Sequence, residues 1–249
     1  MAVHDFRSQR VFLDADLSEG AEITCERGQA NYLRNVLRLG EGARILVFNG
    51  RAGEWRARLA VHGKRDCGLV IEEQVREQAG GPDVRYLFAP LKRARLDYMV
   101  QKATELGVRT LEPVITAHTV AERVNIERMR ANVIEAAEQC GVLRVPDVAE
   151  PVQLDACLAD WAQERVIFFA DEAAEASPPL TAFEGIERGA PVAVLIGPEG
   201  GFSEKERARV RALRQTRAVS LGPRIMRADT AAVALLALVN ATVGDWDQK

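Results

Sequence analysis

The sequence predicts an α/β protein in two parts, a small β-rich N-terminal module and a larger α/β domain built on a mainly parallel sheet. Three observations predict it. Up to about Val75 short apolar segments alternate at the strand period. "EQAGGPDV", Glu77 to Val84, then breaks the pattern with Gly80, Gly81 and Pro82. Beyond it, β-branched apolar runs alternate with amphipathic helices, the order of a parallel sheet covered on both faces. The first domain is placed at residues 1–76 and the second at 84–249.

In the first part, "RVFLD", "AEITC", "ARILVF", "EWRARLAV" and "CGLVIEEQV" have strand character, and "FNGRAGEW" supplies a hairpin turn through Asn49, Gly50 and Gly53. One helix interrupts them. In "QANYLRNVLRL" the apolar Tyr32, Leu33, Val36, Leu37 and Leu39 recur at helical spacing, with Arg34, Asn35 and Arg38 between them. The result is a small barrel or sandwich with one helix.

In the second part "RYLFAP" is a buried strand. The helix "RARLDYMVQKATELG" follows, with Leu96, Met99, Val100, Ala103 and Leu106 on one face and Gly107 as its stop. "TLEPVI" is the next strand. "NIERMRANVIEAAEQCG" is a second helix, capped by Asn125, striped by Ile126, Met129, Val133 and Ala137, and ended by Gly141. "RVIFFA", "PVAVLIG" and "RAVSLG" are strands, the last two each followed by a loop and a helix, while "AEASPPLTAFEG" is an exposed loop.

Composition bounds the function. At 249 residues and 47% hydrophobic the chain can fill a sizeable core. The absence of a long apolar run and of a secretion signal points to the cytoplasm and away from a membrane. Cys25, Cys67, Cys140 and Cys157 are far apart and read as reduced thiols in or near the core. With His4, His62 and His118 equally scattered, no metal site is expected. Net charge is only -3, but Arg27 to Arg65 holds nine Lys or Arg (Arg27, Arg34, Arg38, Arg44, Arg51, Arg56, Arg58, Lys64, Arg65) against Glu41 and Glu54. With Tyr32 and Trp55 interleaved, such a stretch suits phosphate neutralisation and base stacking, and equally an ordinary solvated surface.

Two stretches carry the chemistry. In "VAVLIGPEGGFSEKE" a strand ends at Gly197, Gly200 and Gly201 permit close backbone approach, and Ser203 with Glu206 forms a capping box. A strand end, a glycine loop and a helix start make a ligand site in an open α/β sheet. Glu199 stands where a dinucleotide fingerprint needs glycine, and the Lys of a phosphate loop is missing. The carboxylate would repel a polyphosphate and suits a cationic or amine-bearing ligand. "RAVSLGPRIMRADTAAVALLALV" repeats the logic, placing Arg224, Arg227, Asp229 and Thr230 before an apolar helix. Asp229 or Thr230 fits a helix cap, and the arginines fit a phosphate or an oxyanion.

"IGPEGGFSEKE" (Ile196 to Glu206), "LGPRIMRADTA" (Leu221 to Ala231), "KRARLDYMVQKATELGV" (Lys92 to Val108) and "YLRNVLRL" (Tyr32 to Leu39) together resemble the RsmE family of 16S ribosomal RNA uridine N3 methyltransferases, members of the SPOUT class. The resemblance spans most of the chain. It implies a PUA-like RNA-binding β-barrel followed by a SPOUT α/β domain whose end is threaded into a trefoil knot. It also implies S-adenosyl-L-methionine as cofactor, ribosomal RNA or the small ribosomal subunit as partner, and a homodimer.

The cofactor pocket implied is Leu195, Ile196, Gly197, Gly200, Gly201, Leu221, Gly222, Ile225, Met226 and Ala231. Arg10, Tyr32, Arg34, Arg38, Lys92, Arg93 and Lys102 are the RNA-contacting set. Uridine N3 is a poor nucleophile until its proton is lost, so a base and a cation for the uracil anion are needed. Glu199 or Asp229 is the candidate base, and Arg224 or Arg227 the cation or RNA-phosphate contact. Asp229 stands where the family has glutamate, Met226 where leucine is common and Cys140 where serine is usual. A methyltransferase acting on another base or a ribose 2′-hydroxyl, and a non-catalytic RNA-binding protein, are the alternatives.

Overall fold

The computed structural model describes residues 8–63, 66–120, 123–174 and 178–246. His4, Lys64 and Arg65 lie outside them. The chain divides into two compact units, residues 1–80 with 137–145, and residues 81–136 with 146–249.

The first unit contains β1 (Arg10–Phe12), β2 (Glu22–Thr24), the short helix α1 (Arg27–Asn31), β3 (Arg44–Phe48), β4 (Glu54–Val61) and β5 (Cys67–Arg76). All five predicted strands are present. They form one sheet in the order β1-β3-β4-β5-β2, antiparallel except for the parallel β1–β3 pair. Its buried side includes Val11, Leu33, Ile45, Val47, Leu59, Leu69 and Ile71. The β3–β4 turn is closed by the Asn49 side chain, whose Oδ1 accepts the amides of Arg51 and Ala52, and Gly50 and Gly53 take positive φ.

The helical segment differs from the reading at one point. After α1 the chain widens into a π turn over Tyr32–Val36, with the Leu37 amide donating to the Tyr32 carbonyl. The wider turn shifts the apolar stripe, so Leu33 is buried but Val36 is 61% exposed. Arg38 takes φ 55, an unusual conformation for a side chain of its size.

The second unit contains β6 (Val84–Phe88), α2 (Arg93–Glu105), β7 (Thr110–Ile115), α3 (Ile126–Cys140, its last residues counted with the first unit), β8 (Asp147–Val148), β9 (Val152–Gln153), α4 (Leu154–Ala159), β10 (Val166–Ala170), β11 (Val192–Ile196), α5 (Glu204–Arg211), β12 (Thr216–Val219) and α6 (Ala228–Thr242). The sheet is parallel throughout, in the order β12-β10-β11-β6-β7-β8, with β9 on β7. Gly107 and Gly141 take positive φ where α2 and α3 end, and Asn125 Oδ1 accepts the Arg128 amide at the start of α3. Within the segment read as an exposed loop, whose residues 175–177 lie outside the described ones, Pro179–Phe183 forms a 3-10 helix anchored by Phe183, which is buried and stacks on Phe168 at 4.3 Å.

All four cysteines are thiols. Burial pushes Cys25 up to about 12, with Cys67 adding to it, and pushes Cys157 up to about 11. Thiolate, the reactive form, is therefore scarce at both. We expect an aromatic disulfide reagent at pH 8 to label Cys140 first in the folded protein, with Cys25 and Cys157 following only on unfolding. Rapid labelling of Cys25 in the native state would contradict this packing.

Candidate cofactor and RNA site

The C-terminal ends of three neighbouring strands, β12, β10 and β11, open into one cavity of about 660 Å³. This is where open α/β sheets bind ligands, because the loops leaving the strands diverge there. Two loops form most of its wall: Ile196 to Gly201 after β11, and Val219 to Arg227 after β12. Ala170, Asp171 and Glu172 close it from β10, and Arg95 reaches it from α2.

The glycines are needed here for space. A Cβ on Gly197 would lie 2.5 Å from Phe202 Cε2, and Phe202 is itself buried against Phe169. Gly201 combines φ +69 with Glu172 Oε1 only 2.7 Å from where its Cβ would be. The loop then enters α5 through the predicted capping box, with Ser203 Oγ accepting the Glu206 amide and Glu206 Oε2 accepting the Ser203 amide.

Nine of the ten expected cofactor residues line this cavity: Ile196, Gly197, Gly200, Gly201, Leu221, Gly222, Ile225, Met226 and Ala231. Leu195 does not. It precedes Ile196 on β11, and in a strand successive side chains face opposite ways, which sends Leu195 into the core with Phe169 and Phe202.

The expected catalytic residues separate. Glu199, Arg224 and Arg227 line the cavity, and Asp229 is absent from its wall. Arg227 is the N-cap of α6 by backbone position but makes no side-chain cap bond, so neither Asp229 nor Thr230 is the cap. Asp229 sits in the first turn and accepts the Thr230 amide, satisfying one of the donors that a helix start leaves open. Its charge, after burial, raises Tyr86 well above the usual tyrosine range. Glu199 forms an ion pair with Arg95. Among the described residues no carboxylate pairs with Arg224 or Arg227, and Ile225 between them is 100% exposed.

Several residues of the site were missed. Asp171, buried, binds Arg211 Nε at 2.8 Å and lies 3.3 Å from Arg207 Nε, while Glu172 binds Arg207 at 2.6 Å. These pairs tie α5 to the end of β10. The signal for Asp171 was its position directly after the strand "VIFFA", and for Arg95 its place beside Lys92 and Arg93 where α2 follows β6.

The RNA-contacting set also separates. Arg10 is buried, pairs with Glu54 and donates to the Glu138 carbonyl, so it is a structural charge and not an exposed contact. Arg44, Arg51, Arg56 and Arg58 are matched by Glu72, Asp14, Asp16, Glu73 and Glu41, most of them outside the basic stretch. Tyr32 and Trp55 pack partly against the core. The exposed cations that remain around α1 and the π turn are Arg27 and Arg38, with Arg34 reaching the Gly63 carbonyl. On α2, Lys92 and Arg93 are exposed, and Lys102 pairs with Glu105 over the Tyr98 ring. Among the described residues no cluster of three or more metal-ligating side chains occurs, and no helix is long and apolar enough to cross a membrane.

Comparison with known proteins places this arrangement. Residues 80–240 match an RNA methyltransferase domain and residues 26–72 an RNA methyltransferase PUA domain. The chain is similar to the ribosomal RNA small subunit methyltransferase E of Rickettsia conorii, 28% identical over 92% of this chain and 94% of that one. It is 32% identical to that of Synechocystis over 89% of this chain and 73% of the relative. The crystal structure of the Neisseria gonorrhoeae enzyme of that name bound to S-adenosyl methionine covers 96% of this chain and 100% of its own, at 26% identity and a TM-score of 0.86. With its PUA-like unit, its parallel α/β unit and a glycine-walled cavity at the strand ends, the chain belongs to the ribosomal RNA small subunit methyltransferase E family.

Proposed function

We propose that the chain methylates N3 of a uridine in small-subunit (16S) ribosomal RNA, using S-adenosyl-L-methionine held in the cavity at the ends of β10, β11 and β12. The observation that carries this reading is the wall itself: a loop after β11 whose Gly197 and Gly201 stand where side chains would intrude, a loop after β12 with Gly222 at φ +102, and two arginines for which no carboxylate partner occurs among the described residues. The fit to the cofactor is chemical. A cavity of about 660 Å³ lies within the range of small-molecule sites. Backbone groups of Ile196, Gly197, Gly201, Leu221 and Gly222 suit an adenine, while Glu199 and Glu172, each paired with an arginine, leave carboxylate oxygens in the wall that can accept from an amine.

S-adenosylmethionine supplies an electrophilic methyl group. The protein's part is to present a deprotonated N3 to it. Arg224 and Arg227 stabilise the negative charge that the uracil develops and hold the neighbouring phosphate. Glu199, the expected base that lines the cavity, takes the N3 proton, with Arg95 fixing its carboxylate. Asp229 supports the start of α6. The target uridine must be unpaired or turned out of its helix to reach the cavity.

Residues 1–76 act as the RNA-binding module through Arg27, Arg34 and Arg38, and residues 84–249 as the methyltransferase domain. In the second unit Lys92, Arg93 and Lys102, at the start of α2 and along it, are proposed as RNA contacts of their own. The trefoil path of the chain's end is part of the same reading, as the family resemblance implies. A homodimer is supported by the outward side of α6, where Val233, Ala234, Ala237 and Leu238 are only half-buried, and by Trp246, 57% exposed. Action on ribosomal RNA supports a cytoplasmic location.

Isothermal titration tests the cofactor step. The folded chain should bind S-adenosylmethionine with one site per subunit, and no heat of binding under those conditions would overturn the reading.

A further inference from the structure

The glycine loop is also held from outside the cavity, by a residue that the reaction as described does not use. The turn after β7 places His118 Nδ1 3.1 Å from the Gly200 carbonyl and 3.1 Å from the Gly201 carbonyl. Both groups can only accept, so Nδ1 carries the proton. One residue earlier, the Ala117 amide donates to Glu206 Oε1 at 2.7 Å, while Glu206 Oε2 holds the capping box through the Ser203 amide and hydroxyl. The turn itself is closed, because Thr119 Oγ1 accepts the Thr116 amide at 2.9 Å. A Cβ on Gly200 would meet His118 Cβ at 3.2 Å, so glycine at that position allows the turn to lie this close.

We infer that His118 is a positioning residue for the cofactor site: its Nδ1–H fixes the Gly200 and Gly201 carbonyls from behind, so that the inner face of the loop is set before a ligand arrives. Two features support a dedicated contact. It joins segments 82 and 83 residues apart in sequence, and Glu206 fastens the neighbouring residue of the same turn to the start of α5. Burial works upward on Glu206, but the Ala117 and Ser203 donors and the His118 charge hold its carboxyl below the usual glutamate range, as a carboxylate accepting several bonds should be. A preset loop lowers the ordering cost of binding.

The inference rests on the methyltransferase reading for its ligand but not for its first test. In the ligand-free full-length chain, His118→Leu should speed hydrogen exchange at Gly201 and Phe202 while leaving exchange in β7 and α5 unchanged. His118→Asn, which keeps an N–H donor at the Nδ1 position, should restore the slow rate. With S-adenosylmethionine as probe, His118→Leu should raise Kd about three- to tenfold, the weight of one net hydrogen bond, and leave kcat at saturating cofactor unchanged. Unaltered exchange in His118→Leu, or an asparagine variant that behaves like leucine, would overturn the inference. Failure of the parent chain to bind S-adenosylmethionine would instead overturn the methyltransferase reading, with the exchange result still deciding the role of His118.

Discussion

Replacing Arg224 by alanine is expected to slow methyl transfer by about two to three orders of magnitude at saturating cofactor and RNA, the loss typical of one donor aimed at developing charge. Arg224 lines the cavity at the junction between β12 and α6, and among the described residues no carboxylate pairs with it. Uracil N3 becomes nucleophilic only as an anion, with its charge shared by the flanking carbonyl oxygens, and a guanidinium offers paired donors to such a group. The interaction grows with that charge, so the loss should appear in kcat more than in KM. Arg224→Lys should recover only part of the rate, because an ammonium keeps the charge and loses the fork. Single-turnover rates with cofactor affinity measured in parallel check this. A variant that methylates as fast as the parent removes Arg224 from the chemistry.

The second large effect is expected from Gly197→Ala. The added methyl would meet the Phe202 ring at 2.5 to 3.1 Å, and that ring is packed edge-on against Phe169 at 5.0 Å in the buried cluster with Leu195 and Val210. The ring cannot swing into solvent, so the strand end and the loop must shift instead. Overpacking of this kind costs about 1–3 kcal/mol of stability. The displaced backbone forms the cavity wall, and we expect S-adenosylmethionine affinity to fall by at least about tenfold. Urea unfolding and calorimetric titration of the same protein measure both. Parent-like affinity with reduced stability would place Gly197 in the core's architecture and not in the binding surface.

What the sequence revealed depended on the range of the interaction. Strands with alternating or β-branched runs, Gly107 and Gly141 as helix stops, Asn125 as a cap and the Ser203–Glu206 box are local, and each was legible. The glycines after β11 and β12 were legible for the same reason, since a strand end followed by glycine needs only its neighbours to be read. Contacts between distant segments were not. Arg10 looked like one more surface cation until Glu54, 44 residues away, drew it inward. Asp14, Asp16, Glu72 and Glu73, all outside the basic stretch, neutralise arginines that looked unopposed in a local count. The Arg95–Glu199 pair, the Asp171 pairs with Arg207 and Arg211, and the His118 contact all join loops that meet only because the parallel sheet brings its strand ends together. Val36 failed for a subtler reason: its spacing is helical, but the π turn changes the period that the spacing assumes.

These long-range pairs also sharpen the assignment of roles. Asp229 and Glu199 were equivalent as candidate bases in the sequence, and the fold separates them by placing Glu199 in the cavity wall and Asp229 in the first turn of α6. The polar residues before the apolar α6 therefore serve two ends, with Arg224 and Arg227 facing the cavity and Asp229 the helix.

The central claim is the identity of the methylated atom. The most direct measurement is nucleoside mass spectrometry of small-subunit ribosomal RNA from a strain lacking this chain, before and after treatment with the purified protein and S-adenosylmethionine. One 3-methyluridine should be missing from the untreated RNA and restored by the Arg224-containing protein. A 3-methyluridine that persists in the deletion strain, or a methyl group restored to a ribose 2′-hydroxyl or another base, would contradict it.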